Sequence, residues 1–344
     1  MTGDHEQVEE VLARYAHLTR QAMEPFLPDG EPAGYLYDLV RDYPGRPGKG
    51  IRPALLLAAC QAHGGAIRHG LAPAVALEML HNAFLIHDDL EDASLNRRGG
   101  PTLHELHGLP LAVNAGDALA SLALTPLRDQ RSVLGGRLAR RVLDELATMV
   151  RHTTEGQATE LGWRRDNVVG LRASDYLMLT AKKTSWYTTV APLRLGALVG
   201  SRGAAPLRAL TRFGFLLGLA FQIRDDLLNL DGGNGQHGKE LAGDLREGKR
   251  TLMLVHLLGA ARAPDRAWLH GYLASPDAGR SEADAARLME LMRSYGSLAL
   301  AAEYGHGIAQ SAHDAFDEAF AGVEPSEHLD FIRGLVAYMV ARPL

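Results

Sequence analysis

From residue 6 to residue 23 the chain runs EQVEEVLARYAHLTRQAM, with apolar residues at helical spacing, and the same period recurs through most of the sequence. It predicts helices from Ile51 to Gly64, and over about 72–92, 110–127, 133–162, 173–199, 205–230, 250–262, 281–294, 297–321 and 327–341. Aromatic residues make up 6% of the chain while alanine and leucine abound, which favours helix over strand. A Pro/Gly-rich link containing YPGRPGKG joins the first helix to the second. The stretch DGGNGQHGKELAGDLREGK, 231–249, is the richest in breakers and predicts a mobile loop. Neither a strand hairpin nor strand–helix alternation is expected. The pattern predicts an all-α fold, a single large helical bundle forming one domain over residues 1–344.

Composition narrows the class. At 46% hydrophobic the chain can bury a sizeable core. Its 36 Lys and Arg against 41 Asp and Glu give a net charge of −5, which argues against nucleic-acid binding through bulk charge. Phosphate binding must then come from local basic clusters. The single cysteine, Cys60 in ALLLAAC, excludes an internal disulfide and reads as a small core residue. The N-terminal MTGDHEQVEEVLARY is acidic and lacks an apolar signal core, and no run of 18 residues is free of charge. A cytoplasmic protein without a transmembrane segment is expected.

One short pattern occurs twice. In LIHDDLEDASLNRRGG, Asp88, Asp89, Glu91 and Asp92 crowd the end of an apolar helix. In AFQIRDDLLNL, Asp225, Asp226 and Asn229 repeat the arrangement. Residues i and i+4 share a helix face, so Asp88 and Asp92 project together. Crowded carboxylates repel one another and resist burial, and a divalent cation removes both costs. Hard oxygen ligands with open positions suit Mg²⁺, which also binds substrate phosphates. Asp88, Asp89, Asp92, Asp225 and Asp226 are therefore candidate metal ligands. Either motif alone could be a solvated acidic helix end; two, both capping apolar helices, make that reading much weaker. Cations stand near breakers: Arg97 and Arg98 after the first motif, Lys49 and Arg52 in GKGIRP, and Lys239 and Lys249 around the breaker-rich stretch. Gly48 and Lys49 lack the spacing and the trailing Ser/Thr of a Walker loop.

Taken in order from about residue 46 to 258, these segments resemble the trans-isoprenyl diphosphate synthase family. GKGIRP, DDLEDASLNRRG, NAGDAL, GQATEL, KKT, FQIRDDLLN and GKELAGDLREGK carry the resemblance. It implies the isoprenoid synthase fold around a deep central cavity, usually as a homodimer. It implies a Mg²⁺-dependent prenyltransferase, with three ions when substrate is bound, that joins isopentenyl diphosphate to an allylic diphosphate. By the same resemblance Asp88, Asp92, Asp225 and Lys183 form the catalytic set. Arg97, Lys183, Thr184, Gln222, Lys239 and Lys249 contact the allylic diphosphate. Lys49, Arg52, His81 and Arg98 hold isopentenyl diphosphate. The chain departs from the common pattern at Asn229 and Glu160, where many relatives carry Asp. The Asn variant, with GWRRDN, is most similar to eukaryotic-type geranylgeranyl diphosphate synthases.

Product length should depend on the helix before Asp88. Phe84 lies one turn, about 6 Å, below Asp88 on the same face. Ala83 is small, and Leu80 lies a further turn down. In the family this pairing of Ala83 and Phe84 points to twenty carbons; a farnesyl or a longer-chain synthase is the alternative. Other classes remain as rivals. A di-iron carboxylate bundle would use EMLH (Glu78, His81) and EYGH (Glu303, His306), but leaves the aspartate motifs unexplained. A class I terpene cyclase would not need the isopentenyl diphosphate residues. A non-catalytic partner subunit should have lost the acids of one motif.

Overall fold

The computed structural model describes residues 2–230, 243–275 and 279–340. Most of the backbone is helical, with bounds close to those the periodicity predicts. The main elements are α1 (Thr2–Met23), α2 (Asp38–Gly45), α3 (Ile51–Ala62), α4 (Ile67–Glu91), α5 (Leu103–His107), α6 (Leu109–Leu122), α7 (Gln130–Leu134) and α8 (Gly136–Arg165). They continue with α9 (Ala173–Thr180), α10 (Ala191–Gly200), α11 (Leu207–Leu230), α12 (Gly243–Glu247), α13 (Leu252–Ala260), α14 (Ala263–Ala274), α15 (Glu282–Ser294), α16 (Ser297–Ala319) and α17 (Glu327–Val340). Between α9 and α10 the backbone widens into a ten-residue π-helix, Ala181–Val190, so 173–200 is helical without a break.

Three expectations are corrected. The Pro/Gly-rich link holds α2, because Leu39, Val40 and Tyr43 bury one face of a short helix. A two-residue antiparallel hairpin exists: β1 (Asn96–Arg97) pairs with β2 (Gly100–Pro101). Its two turn residues, Arg98 and Gly99, have φ of 51° and 81°, as the tight mirror-image turn of a hairpin requires. Helix α14 was also not expected; Pro264 sits in its first turn, where a missing N–H costs nothing. Of the breaker-rich stretch, 231–242 lies outside the described residues, and 243–249 forms α12 and a turn.

The core has two joined parts. The larger runs through α3, α4, α10 and α17, and holds Cys60 fully buried, its thiol pKa pushed up to about 12 by burial. The smaller packs α13, α14 and α15 against the ends of α11 and α16. Helix α11 lies along both α16 and the π-helix, and α8 crosses the π-helix on its other side. Close approach explains two glycines. A Cβ at Gly156 would stand 2.4 Å from the Lys183 amide nitrogen, and one at Gly218 would stand 2.5 Å from Ser185 Oγ. The π-helix is thus pressed between α8 and α11, and Lys183 and Thr184 are held at the mouth of one cavity.

Candidate active site

That cavity, of about 350 Å³, opens where the C-terminal ends of α4 and α11 face each other. Asp88 and Glu91 line one wall, Asp225, Asp226 and Asp244 the opposite one, and Lys183, Thr184 and Tyr187 come from the π-helix between them.

On the first wall the three aspartates have three fates. Asp88, 20% exposed, meets Lys183 Nζ at 3.4 Å and Arg97 Nη2 at 3.3 Å, and Gln157 Nε2 donates to it at 3.4 Å. Asp89 is 1% exposed and points away from the cavity. Its Oδ1 accepts from Arg97 Nε at 2.8 Å and its Oδ2 from the Tyr43 hydroxyl. Adjacent helical residues project in different directions, and here Asp89 fixes the guanidinium of Arg97 while Asp88 faces the cavity. Asp92, also 1% exposed, accepts from Arg164 Nη1 at 2.5 Å and pairs with Lys249 Nζ at 2.7 Å.

The second wall is built differently. Asp226 accepts from Gln222 Nε2 at 2.7 Å and from the Tyr176 hydroxyl at 2.8 Å. Burial, then the neighbouring Asp244, pushes its pKa up to about 7. Asn229 Nδ2 donates to Asp244 Oδ2 at 2.6 Å, so the amide at this position orients another carboxylate. Thr184 Oγ1 donates to Gln222 Oε1 at 3.0 Å.

Lys249 bridges the walls, pairing with Asp92 at 2.7 Å and Asp244 at 3.4 Å, while Lys183 joins Asp88 to Glu160 of α8. Burial opposes the charge on Lys183, but Glu160 and Asp88 outweigh it and raise its pKa. Lys249 behaves likewise: against burial, Asp244, Asp92 and Glu247 hold it charged. Glu160, one of the departures from the common pattern, pairs with Lys183 from α8.

The isopentenyl diphosphate set is only partly brought together. Arg52 Nη1 and Arg98 Nη2 both approach His81 Nε2, at 3.2 and 3.3 Å. Burial, then these two cations, drives the His81 pKa well below 6.5. The imidazole is neutral, and Nε2 accepts, which places its proton on Nδ1. Arg98 also donates to Asn82 Oδ1 at 3.0 Å. Lys49 is exposed and lies over the Tyr338 ring at 5.9 Å, away from the cavity. Lys239 lies outside the described residues. Phe84 reaches the cavity; Ala83 and Leu80 are buried behind the lining. The di-iron rival fails, because Glu303 and His306 are exposed on α16, away from Glu78 and His81.

Sequence reasoning missed Tyr43, Arg164, Tyr187 and Asp244. Arg164 and Asp244 lie in segments that it quoted, GWRRDN and GKELAGDLREGK, so a signal existed. Tyr43 opens the quoted YPGRPGKG, where it was read only as part of a link, and Tyr187 carried no signal.

A profile of the polyprenyl synthetase family matches residues 34–292. The chain belongs to this family. A short chain isoprenyl diphosphate synthase from Methanothermobacter thermautotrophicus is 35% identical over 265 residues, 76% of each chain. The geranylgeranyl pyrophosphate synthetase of Pyrococcus horikoshii superposes with a TM-score of 0.86 at 28% identity, covering 98% of this chain and 99% of that one. The geranylgeranyl pyrophosphate synthase of Corynebacterium glutamicum, solved with isoprenyl diphosphate and magnesium, gives a TM-score of 0.81 at 27% identity, covering 99% of both. The all-α isoprenoid synthase fold is thereby shown. The protein is a trans-prenyltransferase that condenses isopentenyl diphosphate with an allylic diphosphate in a Mg²⁺-dependent reaction.

Among the described residues no group of three or more His, Cys, Asp or Glu side chains is spaced to hold an ion alone. The donor chemistry nonetheless fits Mg²⁺. Asp88 and Asp225 offer carboxylate oxygens from facing walls, and a diphosphate between them can supply the remaining ligands. The raised pKa of Asp226 comes first from burial and then from the neighbouring Asp244 carboxylate. Among the described residues no helix is long and apolar enough to cross a membrane.

Proposed function

We propose that the product is geranylgeranyl diphosphate, and that Asp88, Asp92 and Asp225 hold the ions, three with substrate bound. The observation that carries the reading is one cavity with a carboxylate on each facing wall, Lys183 between them, and Phe84 below. When bound, Mg²⁺ neutralises charge on the departing diphosphate and so favours ionisation to an allylic cation.

The chain's own residues do the rest. Arg97, fixed by Asp89, presents its outer face to the allylic diphosphate together with Lys183, Thr184, Gln222 and Lys249. Asp92, paired with Arg164 and Lys249 in this structure, would hold an ion, and Lys249 would meet phosphate oxygens. Asp226 and Asn229 position their neighbours and do not ligate. Arg52, Arg98 and the Nδ1–H of neutral His81 receive isopentenyl diphosphate, and its double bond attacks the cation. The released diphosphate takes the proton, as the resemblance to the family implies. The apolar chain grows down towards Phe84, favoured by about 0.8 kcal/mol per buried CH₂. The enzyme works as a cytoplasmic homodimer in this reading.

Incubation with isopentenyl diphosphate and each of the C5, C10 and C15 allylic diphosphates, with Mg²⁺, tests it. Chromatography of the dephosphorylated products should show twenty carbons as the main chain. A main product of fifteen carbons, or one much beyond twenty, would overturn the length assignment and leave the condensation intact.

A further inference from the structure

Tyr187 stands on the π-helix, across the cavity from α4. Three groups meet its ring. The guanidinium carbon of Arg52 lies 4.3 Å from the centroid. Phe84 meets it edge-on, with centroids 6.0 Å apart and planes at 89°. The His81 imidazole is tilted against it at 5.8 Å. The next residue, Thr188, accepts from Arg52 Nη2 at 3.0 Å. The same turn of the π-helix therefore supports Arg52 twice, and one of those supports also touches the residue that closes the hydrocarbon end of the cavity.

We propose that Tyr187 is a specificity-determining residue that ties isopentenyl diphosphate binding to product length. Its ring supports Arg52 as a cation-binding surface, and the same ring closes the cavity floor with Phe84. A guanidinium over an aromatic face gains most where water is partly excluded. A perpendicular aromatic pair fills the space between two walls without a void. Removing the ring frees Arg52 to swing and opens room beside Phe84, so one substitution should move two properties together. A residue with only a packing role would lower the melting temperature and turnover without singling out one substrate. The inference rests on the prenyltransferase activity and deepens it.

The test compares wild type with Tyr187→Ala, Tyr187→Leu and Tyr187→Phe, by steady-state kinetics for both substrates, product chromatography and melting temperature. Tyr187→Ala should raise the KM for isopentenyl diphosphate roughly tenfold, move the allylic KM less, and lengthen the product. Tyr187→Leu fills the space but offers no aromatic face. It should raise the same KM and hold product length near that of wild type. Tyr187→Phe should bring both readouts back towards wild type. Leucine and phenylalanine keep most of the volume, so the test stands even where the alanine variant folds poorly. A wild-type KM in Tyr187→Leu, or equal rises in both KM values with an unchanged product in Tyr187→Ala, overturns the role of Tyr187 alone. A wild-type enzyme that joins isopentenyl diphosphate to no allylic partner overturns the activity, and this inference with it.

Discussion

The two acidic helix ends look alike in sequence and differ in what surrounds them. The α4 end is saturated with cations: Arg97 on Asp88 and Asp89, Arg164 and Lys249 on Asp92, and Lys183 on Asp88. The α11 end is held mainly by neutral donors, Gln222 and Tyr176 on Asp226, and it faces a further carboxylate, Asp244. Asp244 itself is met by Asn229 and, at 3.4 Å, by Lys249. Among the described residues, one wall is largely balanced by protein cations, whereas on the other the carboxylates of Asp226 and Asp244 lie together, with Lys249 at 3.4 Å from Asp244. Similar spacing of acids therefore does not mean similar electrostatics; the partners arrive from other helices. The balanced wall fixes the geometry of its carboxylates in advance, and the unbalanced wall has more to gain from a cation or a proton.

The largest effect should come from removing a carboxylate that faces the cavity on either wall. Asp88→Ala and Asp225→Ala should each lower kcat by about 100-fold or more, because charge stabilisation of the leaving diphosphate is lost. Near-wild-type turnover of either variant in a Mg²⁺ titration would show that its wall is not used.

Next comes the clamp on the balanced wall. Arg164→Ala leaves a buried carboxylate with one fewer cation, and should cost about 3 kcal/mol of stability. The midpoint of urea unfolding measures this. Asn229 is neutral and gives Asp244 one hydrogen bond, so Asn229→Ala should unfold at nearly the wild-type midpoint. Equal losses in the two variants would erase the contrast between the walls.

On activity the order reverses in kind. Asn229→Ala removes one hydrogen bond to the Asp244 carboxylate and should lower kcat/KM by about tenfold, well short of the effect of Asp225→Ala. A comparable loss in both would mean that Asn229 meets the ion or substrate itself.

The smallest effect is a pH slope. The pKa of Asp226 in the folded protein is raised from 3.8 to about 7. Between those values the folded state binds more protons than the unfolded state, so stability falls as pH rises. The contribution is fully present below pH 3.8 and is gone above about 7. Melting temperatures with chelator present should therefore fall more steeply from pH 5 to 7 in wild type than in Asp226→Asn. Parallel curves would place the excess charge elsewhere on the α11 wall.

Much of this protein was legible from residue order because its signals are local. Helical period, the i and i+4 placement of Asp88 and Asp92, and the break at Gly64 depend on neighbours within a turn or two, and they appear where expected, whereas Gly135 interrupts the helix predicted over 133–162. The carboxylates of the first and second motifs could be paired in advance because a charged cluster capping an apolar helix needs a partner of some kind. The hairpin at 96–101 escaped because two-residue strands have no period to detect. Helix α2 escaped because Pro44 and Gly45 at its own end hid a short buried face of Leu39, Val40, Tyr43 and Pro44.

What tertiary structure alone decided is which atoms meet. Asp89 turns to Tyr43 and Arg97 while Asp88, its neighbour, faces the cavity, and nothing in DDLED distinguishes the two. Lys49 is drawn to Tyr338, some 290 residues away in sequence, and not to the cavity. Arg164 closes on Asp92, Asn229 on Asp244, and Tyr187 on both Arg52 and Phe84. The sequence by itself determined the helices and the chemical character of their ends, because backbone hydrogen bonding and amphipathic period act over a few residues. The balance of charge and the floor of the cavity arise only when helices distant in the chain pack, because Coulomb and contact energies depend on separation in space and not along the chain.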